Sequence, residues 1–331
     1  MKYLKLNYKR MLMPTLFLTI IGVLVYVLPI MFARVPNSYS GYQNSNVLSF
    51  AIFLVGAAIF IPIYEFSSLK TTKGADLYYS LPLTKRKLHL TIYIKGLIEL
   101  LVSYTIVFIL GFIIVNLKGF NFQHRPYFPL FFIGLIGITS YYTFNTAIFL
   151  RSNRLIDGLI FILLYMITPF LVISSMLHIY NASYSIISMF PFNPITESFS
   201  LYNRLITKKH VLDESINGMY INILIINLIN FGVGFLGLLF TKDIKSEDVY
   251  QISNTWIGYK VLIPVLLTSL TVLSNISFTN TYNLYILILF VVIAYVGYVI
   301  YQRTFKVKWY YLLTLILAIL LGIILNIVFW S

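Results

Sequence analysis

The chain has 331 residues, of which 59% are hydrophobic, 17% aromatic and only 10% charged. A soluble domain carries about a quarter charged residues, so this composition excludes an ordinary soluble protein. The absence of cysteine excludes disulfide bonds, thiol catalysis and Cys-ligated metals. Several runs of 18 or more apolar residues instead predict an all-α polytopic integral membrane protein.

The predicted topology has about nine transmembrane helices, with the N-terminus cytoplasmic and the C-terminus outside. The first apolar run is too long for a signal-peptide core and lacks a small-residue cleavage site, so we expect it to be an uncleaved span. The run after Lys260 is short and polar, and whether it crosses fully stays open. The nine predicted spans are Met11–Ala33, Val47–Phe66, Thr91–Val115, Phe128–Leu150, Leu155–Tyr180, Tyr220–Phe240, Lys260–Phe278, Tyr282–Tyr301 and Tyr310–Phe329.

The distribution of positive charge sets the predicted orientation. The net charge of +14 would indicate a nucleic-acid partner in a soluble protein. Here the basic residues lie in short loops, and such loops mark the cytoplasmic side of a membrane. The predicted inner segments hold 17 Lys or Arg and the predicted outer segments hold six, while Lys95 lies within the third span. The predicted partner is therefore the lipid bilayer, with no nucleic acid.

The inner loop Ser67–Leu90, between spans two and three, carries five Lys or Arg and a single acid, Asp76. Within it Ala75–Ser80 is predicted to form a short helix, with the acid near its positively polarised N-terminus. Pro82 ends that helix because the residue before a proline leaves the α region. Thr84 is the predicted cap of the following helix. The result is a small amphipathic element at the membrane face, suited to docking another protein.

The run Ser80-Leu81-Pro82-Leu83-Thr84-Lys85-Arg86, between a short helix and a span, resembles the permease subunits of bacterial ABC-2-type exporters. In that family this loop holds the coupling helix, which rests in a groove of a cytoplasmic ATPase. The alternative is an ordinary basic loop that follows the positive-inside rule. The residues that the resemblance places at the ATPase are Asp76, Leu77, Tyr78, Leu81 and Pro82.

The resemblance also implies an organisation for the rest of the chain. It implies a six-span core, residues 1–240, with a re-entrant element in the outer loop 181–219, and a three-span extension, residues 241–331. Lys245-Ser246-Glu247, followed by Lys260, resembles a pattern in longer Gram-positive members. The implied partners are a separate ABC ATPase subunit and a second permease protomer. The implied function is efflux of amphipathic peptides, antimicrobials or other hydrophobic compounds across a bacterial plasma membrane.

No catalytic or cofactor motif is found in the sequence. The four histidines lie in different segments without metal-ligand spacing, so no metal is predicted. Gly232–Gly237 spells GxGxxG inside an apolar span, where small residues favour close helix packing over nucleotide binding. There is no GxxxxGK[ST] loop, so ATP hydrolysis requires another subunit. The chain is predicted not to be an enzyme and to have no cofactor.

Ionisable residues within the spans are the remaining candidates. Lys95 and Glu99 lie four apart on one helix face and are predicted to form an ion pair, since an unpaired charge at mid-bilayer costs about 2.5–3.5 kcal/mol. Asp157 is predicted to be structural, stabilised by its helix N-terminus and by Arg151 or Arg154. Two other functions stay open. The first is an ion-coupled secondary transporter that uses the span-three pair, and the second is a non-transporting scaffold or sensor that binds a ligand at the outer loop.

Overall fold

The computed structural model describes residues 2–32, 41–79, 84–117, 127–179, 214–239, 253, 258–274 and 281–330. Every secondary-structure element in these ranges is helical. The described helices group into two compact units, which are taken one at a time. The predicted re-entrant segment Phe190–Pro194 and the segment Lys245–Glu247 lie outside the described residues.

The first unit contains the helices of residues 1–150 and 191–246. Most of them are long enough, at about 1.5 Å per residue, to cross a hydrocarbon core that is about 30 Å thick. A 3₁₀ turn, Ser67–Lys70, follows the third helix. The helices are α1 (Lys2–Gly22), α2 (Leu28–Phe32), α3 (Gly41–Phe66), α4 (Thr72–Tyr79), α5 (Lys85–Leu117), α6 (Tyr127–Leu150) and α8 (Glu214–Leu239).

A π-helical turn, Val23–Val27, joins α1 to α2. The Leu28 N–H donates to the Val23 carbonyl, five residues back, in place of the usual four. Pro29 follows directly and has no N–H to donate, so the regular ladder cannot continue through it. Wide turns of this kind accommodate such a break without ending the helix. The first apolar run is therefore one continuous helical rod with an internal irregularity.

Helix α6 forms the centre of the first unit and packs against α3, α5 and α8. It approaches α8 closely at Gly234, where an added Cβ would lie 2.8 Å from the backbone nitrogen of Phe144. Gly232 faces open space instead. In this contact one glycine of the GxGxxG run acts as a packing residue, as its position within an apolar span predicts.

The second unit contains the helices of residues 151–190 and 247–331. Its helices are α7 (Leu155–Ile179), α9 (Tyr259–Leu273), α10 (Thr281–Gln302) and α11 (Trp309–Trp330). Helix α9 is central and packs against the other three. At 15 residues it is about 22 Å long, shorter than the hydrocarbon core, so full crossing of the predicted seventh span stays a prediction.

Six of the described helices are long and apolar enough to cross a membrane. Large apolar side chains point outward from them; Met13 in α1 is 74% exposed and Leu289 in α10 is 58% exposed. Exposure of this kind fits contact with lipid, since a soluble surface does not carry it over several helices. The chain is an all-α, polytopic membrane protein, and the count of nine spans stays a prediction.

The two units divide the chain differently from the predicted core 1–240 and extension 241–331. Helix α7, the predicted fifth span, packs against α9 and α11 of the second unit. At the start of α7, Asp157 accepts a hydrogen bond from Ser253 and forms an ion pair with Arg303. Both residues lie far along the chain, in the second unit. The division into a six-span core and a three-span extension stays a prediction that depends on the resemblance to ABC-2-type permeases.

Candidate functional site

A cluster of three buried ionisable side chains lies inside the first unit. Lys95 of α5 places its Nζ 2.9 Å from each carboxylate oxygen of Glu65, at the end of α3. The same Nζ lies 3.7 Å from Oε1 of Glu99, one turn further along α5. The structure thus brings together the two residues predicted to pair and adds Glu65 as the nearer partner of the lysine.

The three side chains of the cluster are almost completely shielded from solvent. The exposed fractions are 11% for Lys95, 5% for Glu65 and 0% for Glu99. Neither carboxyl oxygen of Glu99 has a hydrogen-bond donor among the described residues. Charged groups buried in this way are costly unless they are paired and hydrogen-bonded. Glu65 meets that condition and Glu99 does not.

Hydroxyl groups of α5 and α6 surround the cluster. The Tyr142 hydroxyl donates to the Tyr93 carbonyl over 3.0 Å, and it occupies the space that a Cβ on Gly96 would need. The Tyr93 hydroxyl lies 2.7 Å from Thr143 Oγ1. One turn beyond Glu99, Ser103 donates to the Glu99 carbonyl over 2.9 Å. The two tyrosine contacts join α5 to α6 beside the charged side chains, and the serine bond lies within α5.

Further buried polar contacts tie α6 to the neighbouring helices. Ser140 donates to Oδ1 of Asn227 in α8 over 2.9 Å, and Asn145 donates to the Ala58 carbonyl of α3 over 3.2 Å. Asn227 is therefore an interhelical hydrogen-bonding residue, as expected for asparagine within a span. The interior of the first unit therefore contains buried polar contacts among largely apolar side chains.

Helix α4 begins at Thr72, three residues earlier than predicted. Thr71 is extended, and its Oγ1 accepts the Gly74 N–H over 3.3 Å, which is an N-cap. The predicted helix starts at Ala75, after Gly74. A Cβ on Gly74 would collide with the Ser68 carbonyl, so glycine permits the fold-back of α4 on the 3₁₀ turn.

Lys70 anchors the base of this loop and is only 3% exposed. Its Nζ lies 3.4 Å from the Leu150 carbonyl and 5.5 Å from the centre of the Phe149 ring. Leu150 is the last residue of α6, where unbonded carbonyls concentrate negative partial charge. The lysine therefore binds the loop to the end of the central helix of the unit.

The structure places only part of the predicted ATPase-coupling set. Asp76 is exposed on α4, but it lies past the first turn, so its predicted interaction with the helix N-terminus is wrong. Leu77 and Tyr78 belong to α4, and their side chains are not among those described. Leu81 and Pro82 lie outside the described residues. Thr84 directly precedes α5, and its carbonyl accepts the Leu88 N–H over 3.0 Å.

A second charged cluster lies in the second unit around Asp157, in the first turn of α7. Its Oδ2 accepts a hydrogen bond from Ser253 over 2.8 Å, and Ser253 Oγ accepts the Asn153 N–H over 2.9 Å. Arg303 Nη2 lies 3.9 Å from the same Oδ2, so the ion pair differs from the predicted one with Arg151 or Arg154. Partial burial, then the charge of Arg154, lowers the pKa of Arg303, while Asp157 raises it.

The contacts in each unit join segments that the charge pattern assigns to one side of the membrane. In the second unit Asn153, Ser253 and Arg303 belong to three predicted inner segments and meet at one place. In the first unit Lys70, from the predicted inner loop, meets the predicted inner end of α6. The relative sidedness of these segments agrees with the predicted topology within each unit.

The fold and its interior define a class: a polytopic helical membrane protein with a buried ionisable cluster and a short helical loop at one end. No family model, curated protein or solved structure matches the chain. The resemblance to ABC-2-type permeases therefore stays a prediction from the sequence. Among the described residues, no group of three or more His, Cys, Asp or Glu side chains could hold a metal ion.

Proposed function

We propose that the chain is the membrane-spanning subunit of an ATP-driven exporter of the ABC-2 type, in a bacterial plasma membrane. It pairs with a second permease protomer and with a separate cytoplasmic ATPase. Its cargo class is amphipathic peptides, antimicrobials or other hydrophobic compounds. The single observation that carries the proposal is a capped short helix, α4, between two long apolar helices and bound at its base to a third.

Force applied to such a helix would be passed to the interior of the unit. The fold-back at Gly74 holds α4 against the 3₁₀ turn, and Lys70 holds that turn against α6. The 3₁₀ turn continues directly from α3, so α3 and α6 would move with α4. ATP-driven closure of the ATPase would in this way rearrange the helices around a path between protomers.

The decisive experiment is the double substitution Leu77→Ala with Tyr78→Ala. Central interface residues often cost about 2 kcal/mol or more when truncated, which is about thirtyfold in affinity. We expect normal membrane insertion, loss of a P-loop ATPase from the affinity-purified complex, and loss of substrate-linked ATP hydrolysis. The ATPase would be identified by mass spectrometry after purification from native membranes.

A matched control is Tyr285→Ala with Leu289→Ala, which removes the same residue types from exposed positions of α10. This variant should retain the ATPase. Neutralising Lys85, Arg86 and Lys87 should mainly disturb insertion, because these residues are predicted to face lipid headgroups. Recovery of the ATPase with the α4 double variant at the wild-type level would refute the proposed docking site.

The buried charged cluster favours a second candidate, an ion-coupled secondary transporter. Ionisable side chains inside the membrane are costly and commonly lie on ion pathways. In that case the purified chain alone, reconstituted in liposomes, would carry out flux driven by an ion gradient without ATP. Gradient-driven flux in the absence of any ATPase would replace the first candidate with the second. Most of the outer loop 181–219, on which the scaffold or sensor alternative depends, lies outside the described residues.

A further inference from the structure

The charges of the Glu65–Lys95–Glu99 cluster do not balance if both carboxyl groups are ionised. Two carboxylates would then face one ammonium group, leaving one negative charge in an interior closed to solvent. Two carboxylates that share one site cannot both ionise without strong mutual repulsion. The cluster therefore needs one more positive charge than the described residues supply.

The positions of the atoms show which carboxyl group lacks a hydrogen-bond partner among the described residues. Lys95 Nζ lies at 2.9 Å from both oxygens of Glu65, within hydrogen-bond distance. The 3.7 Å separation from Glu99 Oε1 is beyond that range. Glu99 has no hydrogen-bond donor among the described residues and a side chain 0% exposed, so the only stabilisation of a charge there is the more distant Lys95 ammonium group. A buried acid in this position takes up a proton in preference to remaining ionised.

We propose that this cluster is a proton-binding site and that Glu99 carries the proton. The proton adds to one Glu99 carboxylate oxygen and gives a neutral cluster of ionised Glu65, charged Lys95 and a carboxylic acid. When Lys95 turns from Glu65 towards Glu99, the proton passes from the Glu99 carboxyl group to a Glu65 carboxylate oxygen, so one acid stays neutral and the cluster keeps no net charge. This site depends on neither candidate function, because it follows from the interior of the first unit alone.

Within the part of the chain whose side chains the structure describes, the other ionisable groups packed around the site do not supply the missing charge. Helix α5 contributes Tyr93 and α6 contributes Tyr142, and each hydroxyl already has a partner, Thr143 Oγ1 and the Tyr93 carbonyl respectively. Among the described side chains of Met11–Phe32, the one ionisable group is Tyr26 of the π-helical turn, whose ring contacts Phe50. None of these groups is a cation at neutral pH.

A metal cation fits the site less well than a proton. Sodium, calcium and magnesium are bound by several converging oxygen atoms, commonly six or more for calcium. Both Glu65 oxygens already bind Lys95, which leaves only the two oxygens of Glu99 free of hydrogen bonds in this cluster. A lysine ammonium group at 3.7 Å would also repel a bound cation. The ligand that these atoms fit is a single proton.

Infrared spectroscopy of the purified full chain in phosphatidylcholine–phosphatidylglycerol nanodiscs tests the proposal directly. A protonated carboxylic acid has a carbonyl absorption separate from that of a carboxylate. We expect this band at neutral pH, a shift in heavy water, and complete loss in Glu99→Gln. Glutamine is the neutral isostere of the protonated acid, so the variant should fold. Glu99→Asp should move the band, because the aspartic acid carbonyl differs from that of glutamic acid.

Asp76→Asn is the matched control, since Asp76 is exposed and lies outside the cluster. It should leave the band unchanged. Absence of the band from the wild-type spectrum at neutral pH would overturn the proposal without any variant. Persistence of the band in Glu99→Gln, or with an unchanged frequency in Glu99→Asp, would overturn it too. Loss of the band on adding sodium chloride at constant pH, with choline chloride as control, would replace the proton by sodium and also overturn it.

Discussion

The two charged clusters of the chain differ in how completely their polar atoms are bonded. Around Asp157 in the second unit, the Ser253 hydroxyl donates to the carboxylate and accepts the Asn153 N–H, and the Arg303 guanidinium lies 3.9 Å away as an ion pair. In the first unit Glu65 and Lys95 are bonded, whereas Glu99 is buried without a hydrogen bond from the described residues. Fully bonded polar sets hold helices together, while a buried group without bonds needs another explanation. From this difference we infer that the Asp157 cluster holds helices together, whereas the Glu99 cluster is the proposed proton-binding site.

Among the substitutions considered in the two clusters, removal of Lys95 should lower the free energy of unfolding most. Lys95→Met leaves Glu65 and Glu99 buried together without a cation, and breaking a buried pair in this way costs about 3–5 kcal/mol. Thermal unfolding in detergent should show the loss. Adding Glu65→Gln to Lys95→Met should restore most of the stability, since the remaining acid can be neutral. A double variant as unstable as the single one would contradict the charge balance described above.

The two acids of the first unit should respond unequally to amide substitution. Glu65→Gln removes the bonded partner of Lys95 and should cost about 1–3 kcal/mol of folding free energy. Glu99→Gln leaves the pair at 2.9 Å intact and should cost less than about 1 kcal/mol. Parallel measurement of unfolding temperature and membrane expression decides the order. Equal losses of stability in both variants would contradict the difference in hydrogen bonding between Glu65 and Glu99.

In the second unit the serine should matter more than the arginine. Ser253→Ala removes one hydrogen bond to Asp157 and the acceptor of the Asn153 N–H, so it should cost about 1–2 kcal/mol of unfolding free energy. Ser253→Thr retains the hydroxyl and is the matched control. Thermal unfolding of both variants measures the difference. A Ser253→Ala variant with the same unfolding temperature as the wild type would show that these bonds contribute little.

The smallest effect is expected for Arg303→Gly. Arg303 follows the last residue of α10 with φ of 58°, a left-handed conformation that favours glycine. Its ion pair spans 3.9 Å, and its side chain is 30% exposed, so the pair contributes about 1 kcal/mol or less. Relief of backbone strain should offset that loss and leave the unfolding temperature nearly unchanged. Arg303→Gln loses the charge without that relief, and it should therefore be less stable than Arg303→Gly.

Much of the architecture could be predicted from the sequence because it depends on local pattern. Long apolar runs require helices in a membrane, since no other segment satisfies its own backbone there. The i, i+4 spacing brings Lys95 near Glu99 whatever the rest of the chain does. Gly234 lies in an apolar run, which favours packing over nucleotide binding, and its contact with the α6 backbone agrees.

The partners that could not be predicted are distant in sequence. Glu65 ends α3 whereas Lys95 lies in α5, and Arg303 lies three described helices beyond the start of α7, so only tertiary packing brings each pair together. One feature of the sequence does indicate Glu65. It lies at the predicted inner end of span two, and Lys95 lies near the predicted inner end of span three, so the two residues are expected at a similar depth. The i, i+4 spacing within α5 predicts the contact of Lys95 with Glu99. Predicting the contact with Glu65 requires knowing how α3 and α5 are aligned against each other.

Local chemistry at the α4 loop also differs from the prediction. The charge pattern places Lys70 among the loop charges, yet it is buried against the end of α6, because free carbonyls there attract a cation. The predicted start of α4 is too late because it does not consider Thr71 as a cap. A threonine three residues before a glycine provides a capping signal that can outweigh the poor helix propensity of the glycine.

The contact between Lys70 and Leu150 has a consequence for biosynthesis. The two residues are separated by 80 positions, and synthesis at about 5–20 residues per second leaves an interval of roughly 4–16 s. Until α6 emerges from the ribosome, the Leu150 carbonyl that accepts from Lys70 is absent, and the loop lacks its contact with α6. We expect chains released before Tyr127 to expose the Lys70 region to trypsin, which full-length chains would resist. A nascent subunit would then become ready for a partner only after its central helix has been inserted.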